Sequence, residues 1–290
     1  MTAVGVIDRM RPRSFLIVSL ASLFVSLTIA QTPAFAKDDA KKVTAEYSIN
    51  FNGLGIGSFK IWSDMSNNEY TIKARAKISL LAGILFEWRG DTASSGKVMA
   101  KRPSPYSYSF GYRSGDKGET VDVKFSNNIV EEIAVTPPQR QSASRIPITR
   151  KHMLNVVDPL SAVVMLTNIG SNKRGSEVCS RRLPIFDGKQ RYDLKLSYKG
   201  AKAVTTSHGY SGQAYICKVK FVPIAGHKRG DDENEFAAKN EGIELWMIPL
   251  AKADLYVPYY VYIPTPVGTA SLTATGFSIE GAGDRRALVQ

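Results

Sequence analysis

The sequence predicts an all-β protein in which one long antiparallel sheet curls into an open or spiral β-barrel with one short buried helix. Three observations support this fold class. Apolar and polar residues alternate with a period of two over several long segments, which is typical of half-buried strands. An Asp-Gly pair separates two such segments and indicates a hairpin. One stretch near the middle of the chain has the end signals of a helix but almost no polar face.

The alternation is clearest in two N-terminal segments, residues 43–52 (VTAEYSINFN) and 69–80 (EYTIKARAKISL). The same rhythm returns in PYSYSFGY, TVDVKF, YDLKLSY and YICKVKF. Apolar members of each segment are therefore expected on the inner face of the sheet, and charged members on the outer face. Near the C-terminus, the alternation of Leu272 and Ala274 resumes out of phase at Phe277, which predicts a β-bulge at Thr275-Gly276.

Residues 184–200, PIFDGKQRYDLKLSYKG, place Asp187-Gly188 between an apolar run and an alternating segment. A type I′ hairpin turn needs a positive φ at both central positions, which Asp and Gly tolerate. Asp187 is therefore interpreted as a turn residue, with a functional carboxylate as the alternative. By the same alternation, Arg191 and Asp193 are expected on the solvent-facing side of the following strand.

One segment, VVDPLSAVVMLTNIG, breaks the period of two and predicts a helix over about 158–169. Asp158 suits the N-cap, Pro159 the first helical position and Gly170 the C-terminal stop. The residues between them leave almost no polar face. A short helix that is apolar all round is expected to be buried, here against the inner face of the sheet.

The first 36 residues have the pattern of a cleavable signal peptide. Three arginines precede a short apolar run, and Ala34-Phe35-Ala36 supplies an A-x-A cleavage site. The run is shorter than the roughly 20 apolar residues that a spanning helix needs. The pattern predicts that residues 37–290 form a single β-rich domain, exported to the periplasm and not transmembrane after signal cleavage.

Charge and cysteine content fit an exported chain. The formal net charge is +12, but an exported protein rarely meets nucleic acid, so no nucleic-acid partner is expected. Lipid head groups are the alternative anionic neighbours, beside a purely solubilising role of the charge. The two cysteines, Cys179 and Cys217, are expected to pair as a disulfide in an oxidising compartment.

The sequence lacks the motifs of common catalytic and cofactor sites, including a nucleophile elbow, a metalloprotease helix and a phosphate-binding loop. The three histidines, His152, His208 and His227, are far apart, and the cysteines lack metal-ligand spacing. We therefore expect no catalytic residue, no metal and no cofactor.

Aromatic residues are abundant: 13 Tyr, 12 Phe and 3 Trp. A large curved sheet with aromatic inner positions can enclose a cavity for one amphiphilic ligand. Trp62, Trp88 and Trp246 lie in or beside predicted strands and are the candidate ligand-binding residues.

Several blocks in a fixed order carry a family resemblance: AEYSINFNGLGIGSFKI, DPLSAVVML, CSRRLPIFDGKQRYDLKL, AYICKVKFVPIAGH and ELWMIPLAKADLYVPYYVYIPTPVGTASL. In these blocks the chain resembles an exported bacterial family catalogued as domain of unknown function 3108 (DUF3108). The resemblance implies an envelope location and a β-rich fold, and it implies no activity or active-site residues. Both cysteines fall inside the blocks, which fits a structural disulfide.

The sequence favours a non-catalytic periplasmic protein of the cell envelope, which binds or scaffolds and meets a lipid-like ligand or a protein partner in its concave face. The alternative is a hydrolase acting on peptidoglycan or lipopolysaccharide through carboxylates such as Glu87 and Asp91, or Asp187. A third hypothesis is an outer-membrane assembly partner that exposes a sheet edge.

Overall fold

The computed structural model describes residues 41–80, 86–99, 102–139, 142–170, 172–205, 210–281 and 287–288. The predicted signal peptide at 1–36 and His208 lie outside the described residues. The described strands, in chain order, are β1 (Lys41–Phe51), β2 (Leu54–Ser66), β3 (Glu69–Leu80), β4 (Phe86–Lys97), β5 (Ser104–Ser114), β6 (Lys117–Ser126), β7 (Ile129–Thr136), β8 (Arg181–Phe186), β9 (Arg191–Thr205), β10 (Ser211–Ala225), β11 (Glu244–Leu250), β12 (Leu255–Thr265), β13 (Gly268–Gly281) and β14 (Ala287–Leu288). The described α-helices are α1 (Pro159–Thr167), α2 (Ser176–Cys179) and α3 (Asp232–Lys239).

The strands form one antiparallel sheet with the order β7-β6-β5-β4-β3-β2-β1-β13-β12-β11-β10-β9-β8, and β14 pairs with β13 outside this path. Neighbouring strands in this order are therefore consecutive along the chain, apart from β1 and β13, whose pairing joins the first strand of the sheet to a strand near the C-terminus. Strands β7 and β8 are the two edges and do not pair with each other within the described residues. The predicted open, curled antiparallel sheet is confirmed.

Burial and strand pairing confirm two patterns predicted from the sequence, the alternation in β3 and the bulge near the C-terminus. Tyr70, Ile72 and Ala74 of β3 are all buried, at 2% exposure or less, whereas Thr71 and Lys73 between them are exposed. In the β1–β13 ladder, Glu46 pairs with Gly276 and Tyr47 with Ala274. Thr275 is the extra residue, so the predicted bulge is present.

The hairpin at Asp187-Gly188 joins β8 to β9, as predicted, but its turn differs in detail. Gly188 alone has a positive φ, of 90°. Asp187 instead accepts hydrogen bonds through Oδ1 from the backbone N–H groups of Lys189 (2.9 Å) and Gln190 (2.7 Å). The type I′ prediction is therefore wrong, because the aspartate stabilises the turn with its side chain rather than with a left-handed backbone.

Helix α1 lies in the interior of the curled sheet, as predicted. Leu160 and Val164 pack in a core cluster with apolar residues of β3, β5 and β6. Ala162 packs in a second cluster with apolar residues of β8 to β12. The short helix thus fills the space between the two halves of the sheet, and the hydrophobic effect holds it there from both sides.

The two ends of the sheet overlap. Gly188, in the β8–β9 turn, lies so close to β6 that a Cβ atom on it would be 2.3 Å from Val121 Cγ1. Lys189 Nζ in the same turn is 2.6 Å from Glu119 Oε1. Val157, just before α1, forms a parallel bridge to Ile185 in β8. The β8 end is therefore tucked against the inner face of β6, which makes the sheet a spiral.

This overlap overturns one sequence expectation. Arg191 and Asp193, expected on the solvent face, are 8% and 1% exposed. The alternation in β9 was identified correctly, but the face opposite to its apolar residues is covered as well. The buried carboxylate of Asp193 accepts hydrogen bonds from Arg191 Nη1 and Arg182 Nε, both at 2.6 Å. A buried charge of this kind is tolerated because it is paired.

Candidate functional site

An apolar cavity of about 170 Å³ lies between α1 and the inner faces of β1, β2, β3, β12 and β13. Its lining residues are Val43, Tyr47, Phe59, Ile61, Ser63, Met65, Ile72, Val163, Thr167, Leu255, Val257, Pro258, Val261 and Leu272. The cavity lies where β1 and β13 join the two halves of the sheet. It is the candidate functional site, because an apolar cavity of this kind is the usual place for a small ligand.

The polar groups around this cavity are almost all satisfied by the protein itself. Tyr47 donates its hydroxyl to the carbonyl of Pro258 at 3.0 Å, and Thr167 Oγ1 donates to the carbonyl of Val163 at 2.9 Å. Burial raises the pKa of Tyr47 above its ordinary value, so its hydroxyl keeps its proton. Ser63 Oγ is buried and has no hydrogen-bond partner among the described residues. Among the described side chains that line it, the cavity therefore presents apolar surface and the Ser63 hydroxyl as an available polar group.

A buried polar network holds the helical wall of the cavity in place. Asp158 Oδ1 accepts the backbone N–H groups of Leu160 and Ser161, each at 2.9 Å. Its Oδ2 accepts the hydroxyls of Ser94 (3.0 Å) and Ser161. Since the Ser161 hydroxyl hydrogen is used there, Tyr70 must donate to Ser161 Oγ, 2.5 Å away. The chain of hydrogen bonds fixes α1 to β3 and β4.

The carboxylate charge of Asp158 is stabilised by its hydrogen-bond donors and by the N-terminus of α1. Burial raises the pKa of Asp158 above its ordinary value of 3.8, and the hydrogen bonds from Ser161, Ser94 and Leu160 act in the opposite direction. The N-terminus of α1 carries a partial positive charge that favours the carboxylate. The network is fully enclosed, with Asp158 and Ser161 both at 0% exposure, so it positions the helix and does not contact a ligand from solvent.

Comparison with known proteins gives the family. A family model described as "Protein of unknown function (DUF3108)" matches residues 46–275. The chain belongs to the DUF3108 family. No curated protein matches this member of the family.

Among solved structures, a similar one is the crystal structure of a beta-barrel-like protein of domain of unknown function DUF1849 from Brucella abortus. Its identity to this DUF3108 protein is 9% and the TM-score is 0.50; the match covers 84% of this chain and 99% of that chain. At that identity the likeness shows a shared fold and nothing about function.

The three tryptophans proposed as ligand-binding residues are not brought together, and none of them lines the apolar cavity. Trp62 is 38% exposed on the outer face of β2, next to Lys60. Trp88 lies on the inner face of β4, where it stacks on Tyr112 and covers Gly90. Trp246 of β11 packs edge-on against Tyr260. The three side chains do not form one site, because alternation places Trp62 outside and separate strands carry the other two; a ligand-binding role for any of them stays a prediction.

The predicted disulfide joins Cys179 and Cys217, both fully buried. It ties α2 to β10 within the core cluster that also contains Ala162 of α1. This position makes the bond a structural link between the helical segment and the sheet.

The carboxylates considered for a hydrolase do not form a pair. Asp91 is bound by Arg75 at 2.6 Å and Glu87 by Arg89 at 2.6 Å, all on the outer face. Arg89 holds the pKa of Glu87 below its ordinary value. Four residues along a strand separate these two carboxylates by about 13 Å, more than the roughly 5–9.5 Å of glycosidase pairs. Burial raises the pKa of Asp187, which is a turn residue.

The described residues contain no group of three or more His, Cys, Asp or Glu side chains that could hold a metal ion. Within the same residues, no helix has the length and apolar character needed to cross a bilayer.

The sequence patterns did not predict that residues of β12 line the cavity. Leu255, Val257 and Val261 belong to an apolar run that signals a strand but does not alternate, so the run did not indicate which side faces inward. Ser63 carried no signal at all, because a small polar residue at an inner position is common. A void left between a helix and a sheet depends on how side chains from distant segments meet, which periodicity does not encode.

Proposed function

We propose that this protein is a non-catalytic binding protein of the periplasm, which holds the end of one aliphatic chain of a lipid-like molecule in the apolar cavity beside α1. The observation that carries the proposal is the cavity itself, about 170 Å³ in volume and lined by apolar side chains except at Ser63, Thr167 and the hydroxyl of Tyr47. An apolar cavity of about 150 Å³ engineered into a protein core binds benzene. The volume here therefore suits a chain end rather than a whole lipid.

The energetics set the scale of this interaction. Burial of five methylene groups would contribute about 4 kcal/mol, which corresponds to a dissociation constant of about 1 mM when nothing else contributes. A tightly held ligand must therefore make further contacts outside the cavity. Inside the cavity, Ser63 Oγ adds a hydrogen bond only to a chain that carries a polar atom such as a hydroxyl.

Three features support the periplasmic location. The signal peptide predicted at residues 1–36 directs export, and a fully buried disulfide between Cys179 and Cys217 suits an oxidising compartment. The basic excess of the chain also suits an envelope rich in anionic lipids.

The first test is native mass spectrometry of the exported protein purified from its own periplasm, before and after solvent extraction. The expected result is a co-purifying amphiphile at one copy per chain that extraction removes. A chain that carries no amphiphile, and that gains none when lauric acid is added back, contradicts the proposal and favours a scaffold that acts through a protein partner.

The second test fills the cavity. Val163→Phe places a larger side chain into the cavity from α1, and Val267→Phe makes the same change at a turn residue that is 80% exposed. In isothermal titration with 1-octanol, which has no anionic head group, Val163→Phe should abolish binding and Val267→Phe should leave it unchanged. Equal affinities of Val163→Phe and wild type, with both proteins folded by circular dichroism, would place the ligand elsewhere.

A further inference from the structure

A second and larger space lies at the gap between the two edge strands and has a volume of about 960 Å³. We call this space the edge cleft. Its walls come from the β4–β5 connection, the β6–β7 turn, the segment before α1, and strands β8 and β9. Met165 of α1 faces it, whereas Val163 and Thr167 face the apolar cavity. Because positions two apart in a helix are about 200° apart around its axis, α1 separates the two spaces.

The edge cleft has a positive charge excess. Arg102, Arg182 and Arg191 line it, and none of the described lining residues is acidic. The nearest carboxylate that the arginines use is Asp193, which lies behind the wall at 1% exposure and is shared by Arg182 and Arg191. One buried negative charge thus serves two guanidinium groups.

Arg102 is the third cation, and within the described residues no carboxylate is within salt-bridge distance of it. Its Nη1 donates to the backbone carbonyl of Asn155 at 3.0 Å, which orients the guanidinium without neutralising it. Burial lowers the pKa of Arg102 below its ordinary value, so its charged form is partly desolvated. A partly desolvated cation without a counter-charge is stabilised when an anion binds to it.

Apolar side chains stand beside these cations. Met99 is 55% exposed and Leu154 is 37% exposed, and together with Met165 they form the apolar part of the wall. Methionine side chains adapt to irregular apolar surfaces. Guanidinium groups offer paired N–H donors whose geometry matches phosphate and carboxylate oxygens. The cleft therefore combines the two surfaces that an anionic amphiphile requires.

We infer that the edge cleft binds the phosphate or carboxylate head group of an anionic amphiphile, with Arg102 as the principal contact and Met99 and Leu154 against the adjoining apolar part. This site is distinct from the cavity assigned to an aliphatic chain end, and it does not depend on that assignment.

The test titrates the full chain with three probes: inorganic phosphate, dodecyl phosphate below its critical micelle concentration, and neutral dodecyl maltoside. Dodecyl phosphate should bind at least about tenfold more tightly than either of the others. Equal affinities for phosphate and dodecyl phosphate would contradict the proposal that the ligand is an amphiphile, and would indicate a free oxyanion instead. Dodecyl maltoside binding as tightly as dodecyl phosphate would overturn the anion site altogether. The titration is then repeated with Val163→Phe, which fills the apolar cavity. The affinity of the edge cleft for dodecyl phosphate should not change, because the cleft lies on the other side of α1.

Variants locate the head group. Arg102→Gln should weaken dodecyl phosphate binding by about tenfold or more, and Arg102→Lys, which keeps the charge and loses the planar fork, should give an intermediate loss. Arg113→Gln makes the same change at an exposed arginine on β5 and should have no effect. An unchanged affinity of both Arg102 variants, each with a wild-type circular dichroism spectrum, would rule out the proposed contact.

Discussion

The phenolic oxygen of Tyr70 in β3 lies 2.5 Å from Oγ of Ser161 in α1, across a separation of 91 residues. This contact connects the sheet to the helix that forms one wall of the apolar cavity. It continues through Ser161 to Asp158, the N-cap of α1. The position of the helix therefore depends on a polar network in the interior as well as on apolar packing.

We expect Tyr70→Phe to lower the free energy of unfolding by about 1 kcal/mol, because it removes a buried hydrogen bond and keeps the ring. Tyr106→Phe is the matched control, since the Tyr106 hydroxyl bonds Glu69 at the exposed surface. The measurement is the urea midpoint of each protein. Identical midpoints for Tyr70→Phe and wild type would show that the network does not stabilise the fold.

Asp158 should make stability depend on pH. Burial raises its pKa in the folded state above 3.8, so between 3.8 and the folded pKa the folded protein binds a proton that the unfolded chain has released. Stability contributed by this group is then present at low pH and is lost as the pH rises through that window. Asp158→Asn removes the titration and keeps the N-cap acceptor.

The corresponding measurement compares urea midpoints of wild type and Asp158→Asn from pH 4 to pH 7. The stability of Asp158→Asn relative to wild type should increase as the pH rises. Other titrating groups, such as Asp187, are common to both proteins and cancel in the difference. A difference that stays constant over this range would mean that Asp158 has the same pKa in both states.

Reduction of the disulfide between Cys179 and Cys217 should lower the free energy of unfolding by about 4 kcal/mol, because the 38-residue separation allows the unfolded chain more conformations once the bond is broken. The check is urea unfolding with and without dithiothreitol, starting from protein shown to be oxidised. A Cys179→Ala/Cys217→Ala double variant should be insensitive to the reductant. Oxidised wild type that unfolds at the same urea concentration in both buffers would argue against a stabilising bond.

The overlap of the sheet ends can be tested at two glycines. Gly188 and Gly230 both have a positive φ, of 90° and 64°, so alanine at either position should cost about 1–2 kcal/mol in backbone strain. A Cβ on Gly188 would also meet Val121, whereas one on Gly230 has no described atom within 4 Å. Gly188→Ala should therefore be the more destabilising variant by at least about 1 kcal/mol. Equal losses would indicate that the β8–β9 turn does not pack on β6.

Local features of this fold could be predicted from local patterns. The inner residues of β3, the bulge at Thr275 and the N-cap at Asp158 each depend on neighbours within a few positions. Strand alternation, turn residues and capping residues act over that range, so their signals survive in the sequence.

The amino-acid sequence by itself determined that the chain forms a sheet, which face of most strands is apolar, where the helix begins, and that Cys179 and Cys217 are available to pair. Only the tertiary structure decided that Arg191 and Asp193 are buried, that the three tryptophans lie apart, and that a cavity and the edge cleft remain on either side of α1. The physical reason is that periodicity specifies the side to which a residue points, whereas burial and empty space depend on which distant segment covers that side.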